Sequence, residues 1–101
     1  MRIPGKRAGS HCSIGDVHLQ TGNYSSALND YRSALELSRR IGDVYQEALA
    51  HDGLGSVLRH TEGAAAAREH WRRALDLFEQ IGVPEADAVR SRLRAADATA
   101  S

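Results

Sequence analysis

Apolar residues recur along most of this chain at steps of three and four, the spacing that puts them on one face of an α-helix. Short segments containing Gly22, Gly42 and Gly82 interrupt the pattern, and glycine is typical of helix ends. The pattern therefore predicts five helices and an all-α fold. In chain order, the predicted apolar stripes are Ile14, Val17 and Leu19; Tyr24, Ala27, Leu28, Tyr31, Ala34 and Leu35; Ala48, Leu54, Val57 and Leu58; Ala67, Trp71, Ala74, Leu75 and Phe78; and Val89 with Leu93.

Local signals place several of the helix ends. Gly22 suits the left-handed C-cap of the first helix, and Asn23 is a good N-cap residue for the second. Asp43, followed three residues later by Gln46, resembles a capping box at the start of the third helix. Pro84 suits the first turn of the fifth helix, because its fixed backbone angle is already helical.

The chain also repeats itself with a period of 40 residues. The segment from Tyr31 to Leu37 aligns with the segment from Trp71 to Leu77, and Gly15 aligns with Gly55. A fixed period of this length is the signature of a stacked helical repeat, whose units bury their apolar faces only against each other. Such proteins offer binding surfaces and rarely perform chemistry, so the period favours a binding function.

The pattern divides the chain into a flexible leader (residues 1–9), two repeats (10–42 and 43–82), a C-terminal capping helix (83–96) and a disordered tail (97–101). The fifth helix is mostly polar, as the outer face of a terminal cap must be. Two repeats and a cap are fewer than the roughly three units that such stacks usually need. We therefore expect either an upstream extension in the natural protein or self-association through the N-terminal end.

The residues at the repeated positions resemble the tetratricopeptide repeat. In the second copy Glu62 and Ala64 replace the expected turn glycine and aromatic residue, and the period exceeds the family's minimal unit of about 34 residues. The resemblance covers residues 10–82 and implies a right-handed α-α superhelix of two helical hairpins plus a capping helix, with a function in protein–protein interaction. The matching residues are Ile14, Gly15, Gly22, Tyr24, Ala27, Tyr31 and Ala34 in the first copy, and Leu54, Gly55, Ala67, Trp71 and Ala74 in the second.

Two segments, residues 22–43 and 71–87, also resemble the C-terminal repeats of a narrower group, the large actinobacterial transcriptional regulators. These regulators are the Streptomyces antibiotic regulatory family and relatives with a nucleotide-binding switch domain. Their DNA-binding and nucleotide-binding parts lie upstream, and this sequence has neither a phosphate-binding glycine loop nor a winged-helix pattern. The resemblance therefore implies a terminal sensor or partner-docking segment.

Composition narrows the choice of partners. Thirteen basic and thirteen acidic residues cancel, so we expect neither direct nucleic-acid binding nor attraction to an anionic membrane. The single cysteine, Cys12, excludes an intrachain disulfide and fits a reducing, cytoplasmic compartment. No apolar stretch is long enough to cross a bilayer.

Candidate catalytic and metal-binding chemistry is weak. The histidines show no metal-ligand spacing, so we interpret them as structural and expect no metal or cofactor. His11 and Cys12 are adjacent and point to different sides of a helix, which argues against a Cys–His nucleophile. Trp71 lies among arginines, as in a base-stacking surface, but it occupies the repeat's core position. The chain is therefore not expected to be an enzyme. The five histidines are His11, His18, His51, His60 and His70.

The remaining place for function is the concave groove that the first helix of each hairpin lines. Because Asp16 and Asp52 lie there, an extended peptide of basic character fits better than a peptide held by its C-terminal carboxylate. The same residues also fit a solvated polar face that binds nothing. On the repeat register, the candidate groove residues are Cys12, Asp16, Leu19, Asp52, Ser56, Arg59 and Arg92.

Three functional hypotheses follow. The first is a non-catalytic interaction module that binds a peptide or partner domain in its groove. The second is a regulatory segment, or a stand-alone relative, of an actinobacterial transcriptional regulator. The third is a scaffold that assembles into homo-oligomers through its N-terminal end.

Overall fold

A computed structural model describes residues 15–100, with side chains for residues 15–98. These residues form five helices and no strand, which confirms the all-α prediction. The leader, Cys12 and the stripe residue Ile14 lie outside the described residues. Residues 15–20 belong to helix α1, and the other helices are α2 (Tyr24–Ile41), α3 (Val44–Thr61), α4 (Ala64–Ile81) and α5 (Glu85–Ala100).

Each helix packs against the next one in the chain, so α1–α2 and α3–α4 form two hairpins and α5 follows them. The fold is the predicted right-handed α-α superhelix of two hairpins and a further helix. Helices α2 and α4 occupy equivalent places and bury equivalent residues. These are Ala27, Tyr31, Ala34 and Ser38 in α2, and Ala67, Trp71, Ala74 and Phe78 in α4.

The turn between α2 and α3 forms only one of the two hydrogen bonds of the capping box predicted at Asp43 and Gln46. Gly42 has a φ of 74°, the left-handed conformation that suits glycine, and the Asp43 N–H donates to the Ser38 carbonyl at 2.9 Å. The Asp43 side chain accepts from the Gln46 N–H at 3.1 Å, as predicted. The reciprocal bond of a capping box is absent, because the Asp43 N–H already serves the end of α2. Gln46 Oε1 is consequently buried without a hydrogen-bond partner.

The turn between α1 and α2 has the two predicted cap residues but no side-chain capping bond. Gly22 takes the expected left-handed conformation, with a φ of 83°. Asn23 lies at the N-cap position of α2, but its side chain makes no capping bond. Its Nδ2 instead donates to the Thr21 hydroxyl at 3.3 Å. Asn23 is therefore the N-cap residue by position, as predicted, while its side-chain amide is directed toward Thr21.

Helix α5 is longer than its sequence pattern predicts. It continues to Ala100, through residues that the pattern assigns to a disordered tail. Two contacts hold this part of the helix against the rest of the fold. Ala96 is fully buried, and Asp97 lies 3.0 Å from the Arg68 guanidinium on α4. Alanine has the highest helix propensity, so the alanine-rich sequence also favours this extension.

Aromatic residues packed on glycines determine how closely the helices approach. Tyr31 and Trp71 are 1% and 2% exposed, which confirms that Trp71 belongs to the core. A Cβ atom added at Gly53 would lie 2.2 Å from Tyr31 Cε1, and one added at Gly55 would lie 2.5 Å from Trp71 Cδ1. Since Gly15 contacts Tyr31 in the same way, the glycines of the first and third helices provide the space for the aromatic rings.

One predicted core residue lies at the surface. Val17 on α1 is 57% exposed, whereas Val57, its equivalent 40 residues later, is fully buried. Gly15 is the α1 residue that faces Tyr31, and Val17 lies two positions further along and so points elsewhere. Val57 is buried against α2, and no helix within residues 15–100 occupies the corresponding place beside α1.

Candidate functional site

Two of the predicted groove residues, Asp52 on α3 and Arg92 on α5, are joined by a salt bridge. Arg92 Nη1 lies 2.5 and 2.6 Å from the two carboxylate oxygens of Asp52. The Trp71 indole N–H donates to the Asp52 carbonyl at 3.2 Å, so the core aromatic also supports this part of α3. This salt bridge joins α3 to α5, the first helix of one unit to the helix that follows the second hairpin.

The two aspartates of this face are both engaged. Burial raises the pKa of Asp52 above its ordinary value, Arg92 opposes this effect, and the negative charge of Asp16 adds to it. Asp16 therefore lies close enough to Asp52 to influence it. The Asp16 carboxylate in turn accepts a hydrogen bond from the Tyr31 hydroxyl. Both carboxylates therefore already have partners within the protein, although the sequence predicted that they would bind a basic ligand.

A pocket opens between α3 and α5 on the same face. It contains three of the predicted groove residues. Of its two arginines, Arg92 is paired with Asp52, whereas Arg59 has no acidic partner within residues 15–98. The Trp71 ring forms part of its wall, and the His60 ring stacks on Tyr24 with 5.2 Å between ring centroids. The lining residues are Ser56, Arg59, His60, Trp71, Arg92 and Ala95.

The remaining predicted groove residues do not join this pocket. Leu19 is half-buried and packs against the apolar cluster around Tyr31, so its contribution is mainly to the core. Asp16 lies on the α1 side of the face. Cys12 lies outside the described residues.

A second polar site, between α3 and α4, was not predicted. His51 Nδ1 and His70 Nδ1 are 3.1 Å apart, and the two rings stack with their centroids at 5.3 Å. His51 is only 2% exposed. A pocket beside the pair is lined by Leu35, Arg39, His51, Ala66, Glu69, His70 and Arg73.

This histidine pair is expected to be uncharged near neutral pH. Burial lowers the pKa of His51 to about 4, with smaller contributions from His70, Arg39 and Arg73. The pKa of His70 is lowered as well, mainly by burial and then by Arg73. One neutral ring then donates its Nδ1–H to the other. The residues are 19 positions apart, so no local spacing in the sequence could have revealed the contact.

Residues 15–98 show no geometry of a metal centre or a membrane span. No group of three or more histidine, cysteine, aspartate or glutamate side chains within them could hold a metal ion. The other described histidines also have partners, since His18 Nδ1 lies 2.7 Å from the Asp30 carboxylate. Among the described helices, none has the length and apolar character needed to cross a bilayer.

Stacked helical hairpins, with an aromatic residue of each second helix packed on glycines of the first helices, define a helical repeat protein. More particularly, the chain belongs to the tetratricopeptide repeat family, whose model matches residues 6–80. This match confirms the family predicted from the repeated residues. Part of the matched range, residues 6–14, lies outside the described residues.

The chain is also similar to "Regulatory protein AfsR" of Streptomyces griseus, with 31% identity over 80 residues. The alignment covers 79% of this chain and 8% of AfsR, so the chain spans a small part of that relative's length. The predicted resemblance to actinobacterial regulators is thereby confirmed. No solved structure matches the chain.

Proposed function

We propose that this chain is a non-catalytic protein–protein interaction module that binds a peptide segment or partner domain in its concave groove. The groove is the face shared by α1, α3 and α5. The single observation that carries the proposal is the pocket between α3 and α5, where Ser56, Arg59 and Arg92 come together. Membership of the tetratricopeptide repeat family supports the same function. The single cysteine suits a cytoplasmic location.

The construction of the groove favours binding over a merely solvated face. Trp71 and Tyr31 pack closely on glycines of neighbouring helices, so the groove is already formed before a ligand arrives. A preformed surface loses little conformational entropy on binding. Arg59 and Arg92 carry hydrogen-bond donors beside the buried Trp71 ring, which combines a polar rim with an apolar floor.

The experiment is a selection of peptides from a displayed random library, followed by binding measurements on purified variants. Ser56→Trp fills the pocket between α3 and α5 with a bulky ring. Ser33→Trp makes the same change at an exposed position on α2, away from the groove, and is the matched control. We expect selected peptides to lose at least about tenfold in affinity with Ser56→Trp and little with Ser33→Trp.

Thermal unfolding of both variants by circular dichroism establishes that each retains its fold. Selected peptides that bind Ser56→Trp as tightly as the unmodified chain would place the binding surface elsewhere. A selection that enriches no peptide at all would contradict peptide recognition by this groove.

We further propose, as a second candidate, that the chain is a regulatory segment of an actinobacterial transcriptional regulator. Its similarity to AfsR, of which it spans 8%, favours this role. An antibody raised against the purified chain tests it by immunoblotting of the source organism. A band much larger than 11.0 kDa, containing DNA-binding and nucleotide-binding sequences by mass spectrometry, supports the regulator; a band at that mass contradicts it.

A further inference from the structure

Resting on the groove-binding function proposed above, we propose that the pocket between α3 and α5 recognises an acidic peptide segment through aspartate or glutamate side chains. The residues expected to contact those carboxylates are Ser56, Arg59 and Arg92. This assignment reverses the basic ligand that the two aspartates of the groove suggest in the sequence alone.

The donors of the pocket are largely uncommitted. Arg59 is exposed and has no ion-pair or hydrogen-bond partner within residues 15–98. Arg92 uses Nη1 to hold Asp52, while its Nη2 and Nε have no partner in the same part of the chain. The Ser56 hydroxyl likewise lacks a partner among these residues. Guanidinium groups present several donors in a fixed plane that matches a carboxylate.

The acidic groups of the groove do not cancel these cations. Asp52 is already paired with Arg92, and its side chain is only 20% exposed. A lysine or arginine from a ligand would have to displace Arg92, which would gain no net ion pair. Asp16 accepts the Tyr31 hydroxyl and lies toward α1. The excess positive charge is therefore local to the side of the groove formed by α3 and α5.

The pocket beside the two histidines provides an internal comparison. It also contains two arginines, but each has an acidic partner. Arg39 Nε lies 3.3 Å from Glu47, and Arg73 Nη2 lies 3.5 Å from Glu69. The arginines of that pocket are therefore balanced by carboxylates, whereas Arg59 in the groove has no acidic partner within residues 15–98. Charge complementarity thus favours the groove as the site for an acidic partner.

The test uses two labelled peptides of equal length, one rich in glutamate and one rich in lysine. Both are acetylated and amidated, so that only their side chains carry charge, and binding is followed by fluorescence anisotropy. We expect the glutamate peptide to bind the intact chain, to bind less tightly as salt is raised, and to lose about three- to tenfold in affinity with Arg59→Gln. The control, Arg32→Gln, removes another exposed arginine without a described partner, on α2, and should have no effect.

Several results would overturn the inference. They are tighter binding of the lysine peptide, no binding of the glutamate peptide, or equal effects of Arg59→Gln and Arg32→Gln. A single-stranded oligonucleotide that binds more tightly than the glutamate peptide and depends on Arg59 would assign the pocket to nucleic acid instead. These results are distinguishable from failure of the groove-binding function. Library-selected peptides that lack acidic residues but are blocked by Ser56→Trp would refute only the acidic preference, whereas peptides that Ser56→Trp does not affect would refute binding in the groove.

Discussion

Acidification is expected to destabilise this fold through His51. The native state lowers the pKa of this buried imidazole from 6.5 to about 4, so the unfolded chain binds a proton that the folded chain excludes. Stability is therefore fully present above about pH 6.5 and is lost as the pH falls toward 4. The Arg39 guanidinium from α2 and the Arg73 guanidinium from α4 act in the same direction on this ring.

The size of the effect follows from the two pKa values of His51. Each pKa unit corresponds to about 1.4 kcal/mol, so the full difference amounts to roughly 3 kcal/mol and about 2 kcal/mol is lost by pH 5. His70 adds to the loss, since its pKa is also lowered. Asp52 acts in the opposite direction, because a raised carboxyl pKa means that the folded state takes up its proton more readily. Asp52 is present both in the unmodified chain and in a His51 variant, so its contribution cancels in the difference between their free energies of unfolding.

The assay is urea unfolding followed by far-ultraviolet circular dichroism at several pH values between about 7.5 and 4.5. His51→Gln keeps a hydrogen-bonding side chain that never titrates, so its free energy of unfolding should fall by about 2 kcal/mol less over this range. His60→Gln is the control, because His60 is exposed and lies away from the pair. Equal pH slopes for the unmodified chain and His51→Gln would refute the reasoning, as would an NMR titration of His51 near pH 6.5.

Three further predictions use other features of the fold. Gly53→Ala should lower the free energy of unfolding by about 1–3 kcal/mol in urea titrations, because the new Cβ would lie 2.2 Å from the Tyr31 ring; unchanged stability would show that the ring has room to move. Arg92→Gln should raise the pKa of Asp52 further, measured by NMR titration, and cost below about 1 kcal/mol because Arg92 is 42% exposed; an unchanged pKa would contradict their pairing. For the scaffold hypothesis, light-scattering mass across a range of concentrations should rise, and Val17→Asp should reduce that rise, because it places a charge on the exposed face of α1; a mass independent of concentration would contradict the hypothesis.

Local sequence signals determined most of the secondary structure and the centre of the core. The positions of Ala27, Tyr31 and Trp71 follow from steps of three and four within one helix, and the turn at Gly42 follows from the conformational freedom of glycine. Such signals act over a few residues and survive in any arrangement of the helices. The period of 40 residues then specified the stacked repeat, because equivalent residues must meet equivalent neighbours.

The sequence by itself thus determined the helices, the repeat and the family. Tertiary structure alone decided which polar side chains meet: His51 with His70 across 19 positions, and Asp52 with Arg92 across 40. These contacts depend on the distance and rotation between packed helices. The rings of Tyr31 and Trp71 determine that geometry, because they pack on glycines of neighbouring helices. The charge of the groove also depends on tertiary structure. The sequence alone predicts an acidic face, but Asp52 pairs with Arg92, and Arg59 is left without an acidic partner within residues 15–98.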